Sequence, residues 1–353
     1  MQSFHIAVLA GDGVGQEVVP QAKRVLEKVA RQQKIQFDFH DFAWGSDYYF
    51  RHGRMAPADA LDELRPFDAI LLGAVGHPEI PDHVTLNGLL LPIRRAFDQY
   101  ANVRPAVLHR GVESPLALRK GEQINFVVVR ENTEGEYAQV GGFVYHNQPE
   151  EVAIQTAVFT RRGIERIVRF AFELAKRRNG KKRVTSVTKS NAQGFGMVLW
   201  DRTFARVAAE FSDISTESLL VDAAAMNFIR RPESFDVVVA SNLFGDILSD
   251  ISAIIVGSMG LAASANLDPS RRHPSMFEPV HGSAPDIAGK GIVNPIATIL
   301  SAAMMLDHLQ LTDAAQHVDQ AVAKVLTEGC ARTPDLGGRN STEEVTDAIL
   351  ENL

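Results

Sequence analysis

Apolar residues follow two rhythms along this chain, and each predicts a different element. "FHIAVLA" (4–10) and "FDAILLGAV" (67–75) are short, nearly unbroken apolar runs, the pattern of strands covered on both faces. "QFDFHDF" (36–42) alternates as a strand does, and "INFVVVRE" (124–131), "RVTSVTK" (183–189), "LLVDA" (219–223) and "FDVVVAS" (235–241) are further strand candidates. Between the first two, "GQEVVPQAKRVLEKVARQ" (15–32) spaces Val18, Val19, Ala22, Val25, Leu26 and Val29 along one helical face. Helices are also predicted over 295–309, over 313–329 and from Ser341, where Ser341 and Glu344 offer a capping box. Strands alternating with helices predict an α/β protein with a mostly parallel sheet flanked by helices. No Pro/Gly-rich linker splits the chain, so its domains are expected to interleave.

Composition narrows the field. At 353 residues the chain is long enough for two domains with separate cores. A net charge of -7 without a long basic run argues against a nucleic-acid surface. Cys330 is the single cysteine, which excludes a disulfide framework and a Cys-rich metal site. The start "MQSFHIAVLAGDG" has no basic n-region, and no stretch approaches the ~18 apolar residues of a membrane span. A cytoplasmic protein without membrane or nucleic-acid partners is expected.

"AVLAGDGVGQEV" stands between a strand and a helix, where a dinucleotide fingerprint would stand. Its glycines, Gly11, Gly13 and Gly15, are spaced GxGxG rather than GxGxxG. A tight strand-to-helix turn accounts for them without a ligand, and a nucleotide loop is better sought elsewhere. "FEPVHGSAPDIAGKGIVNP" (277–295) is such a loop: His281, Gly282, Ser283 and Ala284 are followed by Asp286, Gly289, Gly291 and Asn294. Small residues let backbone N–H groups approach a pyrophosphate, and Asp286 could accept both ribose hydroxyls while repelling a 2′-phosphate. An ordinary surface loop is the alternative.

Charged residues at the ends of strands sit where an α/β sheet binds ligands. Arg94 and Arg104 flank "AFDQYANV", Arg130 ends "INFVVV", and Lys189 ends "RVTSVT". In "SNLFGDILSD" (241–250), Asp246 and Asp250 lie one helical turn apart on one face, a mildly repulsive pair unless a cation sits between them. A solvated helix face is one reading, but Leu243, Phe244, Ile247 and Leu248 favour carboxylates lining a cleft. Guanidinium groups with paired carboxylates point to a dicarboxylate and an oxygen-liganded divalent metal, Mg²⁺ or Mn²⁺. Tyr137, in "RENTEGEY", is a candidate weak acid.

"GDGVGQEV", "LLGAVG", "YANVRP", "VVRENTEGEY", "VTKSN", "SNLFGDILSD" and "FEPVHGSAPDIAGKG", in this order, resemble the β-decarboxylating dehydrogenases of the isocitrate/isopropylmalate dehydrogenase family. The resemblance covers nearly the whole chain. It implies a two-domain fold that is not a Rossmann fold. Residues 1–99 and 252–353 would form a large domain with the dinucleotide loop, and 100–251 a small domain with the metal ligands and the dimer interface. It further implies that Arg94, Arg104 and Arg130 hold the substrate, that Tyr137 and Lys189 are the proton carriers, and that Asp222, Asp246 and Asp250 bind the metal. Lys189 and Asp222 would serve the partner subunit, so a homodimer with shared active sites is expected. The dinucleotide loop matches 278–294, from Glu278 through Asp286-Ile287 to Asn294, and looks like the NAD-preferring type. Mg²⁺ or Mn²⁺ would be the divalent cofactor, with K⁺ a further candidate.

Within the family, "FAWGSDYYFRHG" (42–53), "PDHVTLNG" (81–88), "RRAFDQYANVRP" (94–105) and "EVAIQTAVFTRRGIERI" (151–167) look like the tartrate/D-malate branch. Members read the substituent on C3 just before Arg94, in "NGLLLPI". Gly88 and Leu90 argue against isocitrate, whereas Leu90 and Leu91 could meet an isopropyl group. The expected activity is NAD-dependent oxidative decarboxylation of D-malate, with tartrate as a second substrate and 3-isopropylmalate as the alternative. Isocitrate and homoisocitrate follow behind. Intact Lys189, Tyr137 and all three aspartates argue against a non-catalytic regulatory subunit, and no GxxxxGK[ST] loop supports a phosphotransferase.

Overall fold

A computed structural model of the chain describes residues 2–119 and 121–353. The strands are β1 (Ser3–Gly11), β2 (Gln36–Asp41), β3 (Ala69–Ala74), β4 (Ala101–Val107), β5 (Asn125–Glu131), β6 (Gly135–Val144), β7 (Val152–Val158), β8 (Arg183–Thr188), β9 (Ser215–Leu220), β10 (Val237–Ala240), β11 (Ala263–Leu267) and β12 (Ser275–Pro279). The chain divides into two compact units. One holds Met1–Gln99, Arg104–Ile124 and Ser252–Leu353; the other holds Tyr100–Val103 and Asn125–Ile251. Residues 104–124 thus pack with the first unit, on the other side of a boundary drawn at residue 100.

In the first unit the strands run β2-β1-β3-β12-β11, all parallel but for the antiparallel pair β11 and β12. Ile6, Ala7, Val8 and Leu9 are consecutive and buried because helices cover both faces of β1. Val8 belongs to the core that includes Val19, Val25, Leu306 and Val322, on the helices Gly15–Gln33, Ile296–His308 and Thr312–Glu328. Leu9 belongs to the core on the other side, with Trp44, Met55, Leu89 and Phe97. The first helix buries the apolar face that its spacing predicted and stops at Lys34, a left-handed residue whose N–H donates to Ala30 O. The last helix (Thr342–Glu351) opens on the expected capping box, Ser341 with Glu344.

The second unit orders β5-β10-β8-β9 in parallel, and β4 carries residues of both units. Phe126, Phe228 and Phe235 meet edge-on and tilted in its core, with ring centres 4.9–5.7 Å apart. One expectation is corrected here. "LLVDA" is not a strand: β9 ends at Leu220, and Val221–Arg230 is a helix with Asp222 in its first turn. Three alanines and Met226 carry helical propensity that outweighs the short apolar run preceding them. A second feature went unforeseen. β6 and β7 form an antiparallel pair of their own that leaves Val140, Phe143, Val144, Tyr145, Val152 and Ile154 exposed.

His308 ends the helix Ile296–His308 and packs on the Phe277 ring, 5.6 Å between centres. Burial, with Arg271 nearby, pushes the imidazole down to about 4. Between about pH 6.5 and pH 4 the unfolded chain takes a proton that the folded chain refuses, so stability falls as pH drops through that window. The loss is on the order of 3 kcal/mol at most, because the ring keeps some contact with water. His308→Gln should therefore flatten the acid limb in urea unfolding at pH 7, 5.5 and 4.5. An unchanged limb would assign the acid sensitivity to other groups.

Candidate functional site

In the second unit the chemistry gathers at the end of β5 and the start of the helix Asn242–Ile255. Arg130 is 1% exposed, and a guanidinium so buried must find acceptors inside the protein. Asn242 Oδ1 accepts from Nε at 2.9 Å and from Nη2 at 2.7 Å, and Asp246 accepts from Nη1. The other oxygen of Asp246 accepts from the Tyr137 hydroxyl at 2.8 Å, and Arg130 lies over the Tyr137 ring, 5.3 Å from its centre. Burial first, then the Asp246 charge, pushes the phenol up to about 12, so Tyr137 holds its proton throughout the neutral range. The site thus contains a weak acid, a buried cation and a carboxylate in direct contact.

The helix bearing Asp246 is held by residues that sequence reasoning missed. Glu136 accepts from Ser241 Oγ at 2.8 Å and from Leu243 N at 3.1 Å, placing a carboxylate against the helix N-terminus. Asn242 Nδ2 donates to Glu134 O at 3.0 Å, which ties the helix to the turn before Tyr137. The sequence offered two separate hints, the run of acids in "RENTEGEY" and an asparagine opening the apolar helix "NLFGDIL".

Lys189 and Asp222 form a separate pair, Nζ to Oδ1 at 2.6 Å, with Asp222 mostly exposed. The ammonium group beside it holds the Asp222 carboxyl below its ordinary range. Asp246 and Asp250 are one turn apart on their helix, offering hard oxygen donors of the kind Mg²⁺ and Mn²⁺ prefer. Among the described residues, no three His, Cys, Asp or Glu side chains come together as a metal cage. One chain therefore brings two of its three expected carboxylates onto one helix face and keeps Asp222 with Lys189.

The first unit carries the remaining residues. Arg94 is buried and donates from Nη2 to Glu278 Oε1 at 2.8 Å, an oxygen that also accepts from Asn266 Nδ2 at 2.7 Å. Nothing among the described residues accepts from Arg94 Nε, although that atom is buried. Arg104 is buried on β4. Leu90 belongs to the core packed around Trp44 and Met55, at the end of a π-helical turn Leu86–Leu90, and Leu91 is half-buried. In the loop 281–294, Ser283 and Asn294 are buried while Gly282 and Asp286 are exposed. Asn294 is fixed on both sides: Oδ1 accepts from Ile296 N at 3.0 Å, and Nδ2 donates to Asp335 at 3.0 Å. Burial pushes the His281 imidazole down, and Ile287 and Ala284 pack on Val14, Val18 and Val293.

Asn242→Ala should strand two donors of a buried guanidinium and cost about 1–3 kcal/mol. Urea denaturation checks this, and a variant as stable as the wild type would mean that Arg130 finds other acceptors at no cost.

The isocitrate/isopropylmalate dehydrogenase family model matches residues 5–349. A probable tartrate dehydrogenase/decarboxylase of Agrobacterium vitis is 51% identical over 100% of this chain and 98% of its own. The D-malate dehydrogenase [decarboxylating] of Escherichia coli is 48% identical over 99% of both chains. Among solved structures, isocitrate dehydrogenase from Methylococcus capsulatus superposes with a TM-score of 0.89 at 37% identity, over 100% of this chain and 99% of its own. By its fold, its motifs and this full-length likeness, the chain belongs to the isocitrate/isopropylmalate dehydrogenase family.

Proposed function

We propose that this chain catalyses oxidative decarboxylation of D-malate to pyruvate and CO₂ with NAD, and that it also takes tartrate. It is a decarboxylating dehydrogenase acting on a hydroxy dicarboxylate, in a family that depends on NAD(P) and a divalent metal. The observation carrying the choice of substrate is identity of 48–51%, over nearly all of both chains, to proteins named for tartrate and D-malate. The buried Arg94 Nε without an acceptor adds support, because a substrate carboxylate would satisfy it.

When bound, Mg²⁺ or Mn²⁺ would hold the C1 carboxylate and acidify the C2 hydroxyl, and NAD would accept the C2 hydride. Asp246, Asp250 and Asp222 are the proposed metal ligands. Lys189, paired with Asp222, is the proposed acceptor of the hydroxyl proton. Tyr137 delivers a proton to C3 after CO₂ leaves, a role that suits a phenol kept protonated at neutral pH. Arg94, Arg104 and Arg130 orient the carboxylates, and Arg130 offsets negative charge developing on the enolate. Asp286 accepts the adenine ribose hydroxyls. Steady-state turnover of D-malate, tartrate, 3-isopropylmalate and isocitrate, each with NAD and with NADP, tests the proposal. We expect the highest kcat/KM for D-malate with NAD, then tartrate. A higher value for 3-isopropylmalate would overturn the assignment in favour of the alternative.

A homodimer with shared sites is part of the same proposal. A two-stranded sheet is marginal alone in water, and the β6–β7 pair exposes six large apolar residues, the kind of patch that a second copy covers. Met226 and Ile229 are also exposed on the helix that carries Asp222. If Lys189 and Asp222 serve the partner, Lys189→Ala and Asp246→Asn should each be nearly inactive, and mixing them should restore activity. Random pairing gives one complete site in half of the dimers, so about a quarter of the wild-type rate is the ceiling. No recovery from heterodimers shown to have formed would mean that each site is built within one chain.

A further inference from the structure

The glycine turn near the N-terminus has no place in the chemistry above, yet it is built against the loop that has one. Val14 N donates to Ser283 O at 2.9 Å. Gly13 has φ +52°, and a Cβ there would stand 2.1 Å from the same carbonyl oxygen. Asp12, buried beneath the turn, accepts from Ser46 N at 2.7 Å, Ser46 Oγ at 2.7 Å and Gly76 N at 2.8 Å. One helical turn further on, Glu17 accepts from Gly289 N at 2.6 Å with one oxygen and from Gly291 N at 2.8 Å with the other. Both glycines have positive φ, 78° and 64°, so their N–H groups face one anion from a conformation that other residues rarely adopt. The stretch between the two anchors, Ser283 and Gly289, contains Asp286.

We propose that Glu17 is a positioning residue for nucleotide affinity: with the glycine turn, it holds the loop 283–291 in the shape that presents Asp286 to the ribose. The proposal rests on reading that loop as the dinucleotide loop. Loop ordering that is settled before binding need not be settled at the expense of affinity, so a clamp raises affinity without touching the ligand. A carboxylate suits the task because it accepts from two backbone donors at once with charge-assisted strength. Glu17→Gln keeps one acceptor oxygen and turns an N–H toward the other donor. Glu17→Asp keeps both acceptors but falls one methylene short.

The experiment measures NAD dissociation by titration for wild type, Glu17→Gln, Glu17→Asp, Asp286→Ala and the Glu17→Gln/Asp286→Ala double variant. KM for D-malate and melting temperature are followed in parallel. We expect Glu17→Gln to weaken NAD binding about fivefold, Glu17→Asp to weaken it less, and KM for D-malate to stay within about twofold. Asp286→Ala should weaken NAD binding about tenfold. The double variant should fall at least about threefold short of the product of the two single effects, because a clamp that acts through Asp286 has less to position once Asp286 is gone. NAD binding within twofold of wild type in Glu17→Gln, full multiplicativity in the double variant, or an equal rise in KM for D-malate would each overturn the proposal. A null effect of Asp286→Ala would instead overturn the loop assignment beneath it, so the two failures are distinguishable.

Discussion

The second unit is organised by the need to keep a guanidinium inside protein. Removing Arg130 from water is costly, and it is tolerable only because Asn242 and Asp246 meet it from one helix. That helix must come close, and it does so at Gly245, where a Cβ would stand 2.6 Å from Arg130 Cβ. Glu136 in turn holds the helix by its first turn, and Tyr137, the next residue, reaches back to Asp246. The spacing of "SNLFGD" is therefore a set of contacts with one side chain: Asn242 and Asp246 as acceptors, and Gly245 as the gap between them. Arg130 and Asp246 are thus an ion pair as well as hydrogen-bond partners.

Much of this was legible because parallel strands buried on both faces leave long apolar runs, and the residues just after such runs fall at one edge of the sheet. Arg130 and Lys189 were found that way. Asp222 was expected at the end of a strand and lies instead in the first turn of a helix, since a five-residue apolar run does not distinguish the two. The β6–β7 pair was not legible at all. Neither strand is buried, so hydrophobic alternation between a wet and a dry face, the usual signal, is absent. Asn242 and Glu136 were missed for another reason. Their partners are polar groups about 105 residues away, so the acids of "RENTEGEY" and the asparagine opening "NLFGD" each showed in the sequence while their pairing did not.

The glycine turn was read rightly as steric, but its neighbour was not foreseen. Gly11 and Gly15 are crowded by Ala74 and Ala10 of the adjoining strands, as a strand-to-helix turn requires, while Gly13 is crowded by Ser283 from almost the other end of the chain. Gly15 thus serves the turn itself, Gly11 the close approach of β3, and Gly13 a contact with the loop near Ser283. The same letters in the same motif answer to different constraints, so a glycine pattern locates a close approach without naming what approaches.

The segment before Arg94 shows how a selectivity reading and a packing reading can rest on one residue. Gly88 was weighed for what it withholds from a substrate's third carboxylate, yet its own neighbour is Met55, whose Cγ would lie 2.6 Å from a Cβ at position 88. A serine there would first have to displace a buried methionine. Methionine is the side chain best able to yield, through three rotatable bonds and a polarizable sulfur, so the barrier to such a change is modest. Leu89, Leu90 and Ile93 share that core with Met55, which makes the π-helical turn Leu86–Leu90 part of the hydrophobic interior on one side. Any side chain added at Gly88 is then coupled to repacking around Met55, and substitutions at 88 and 55 should be judged as a pair rather than singly.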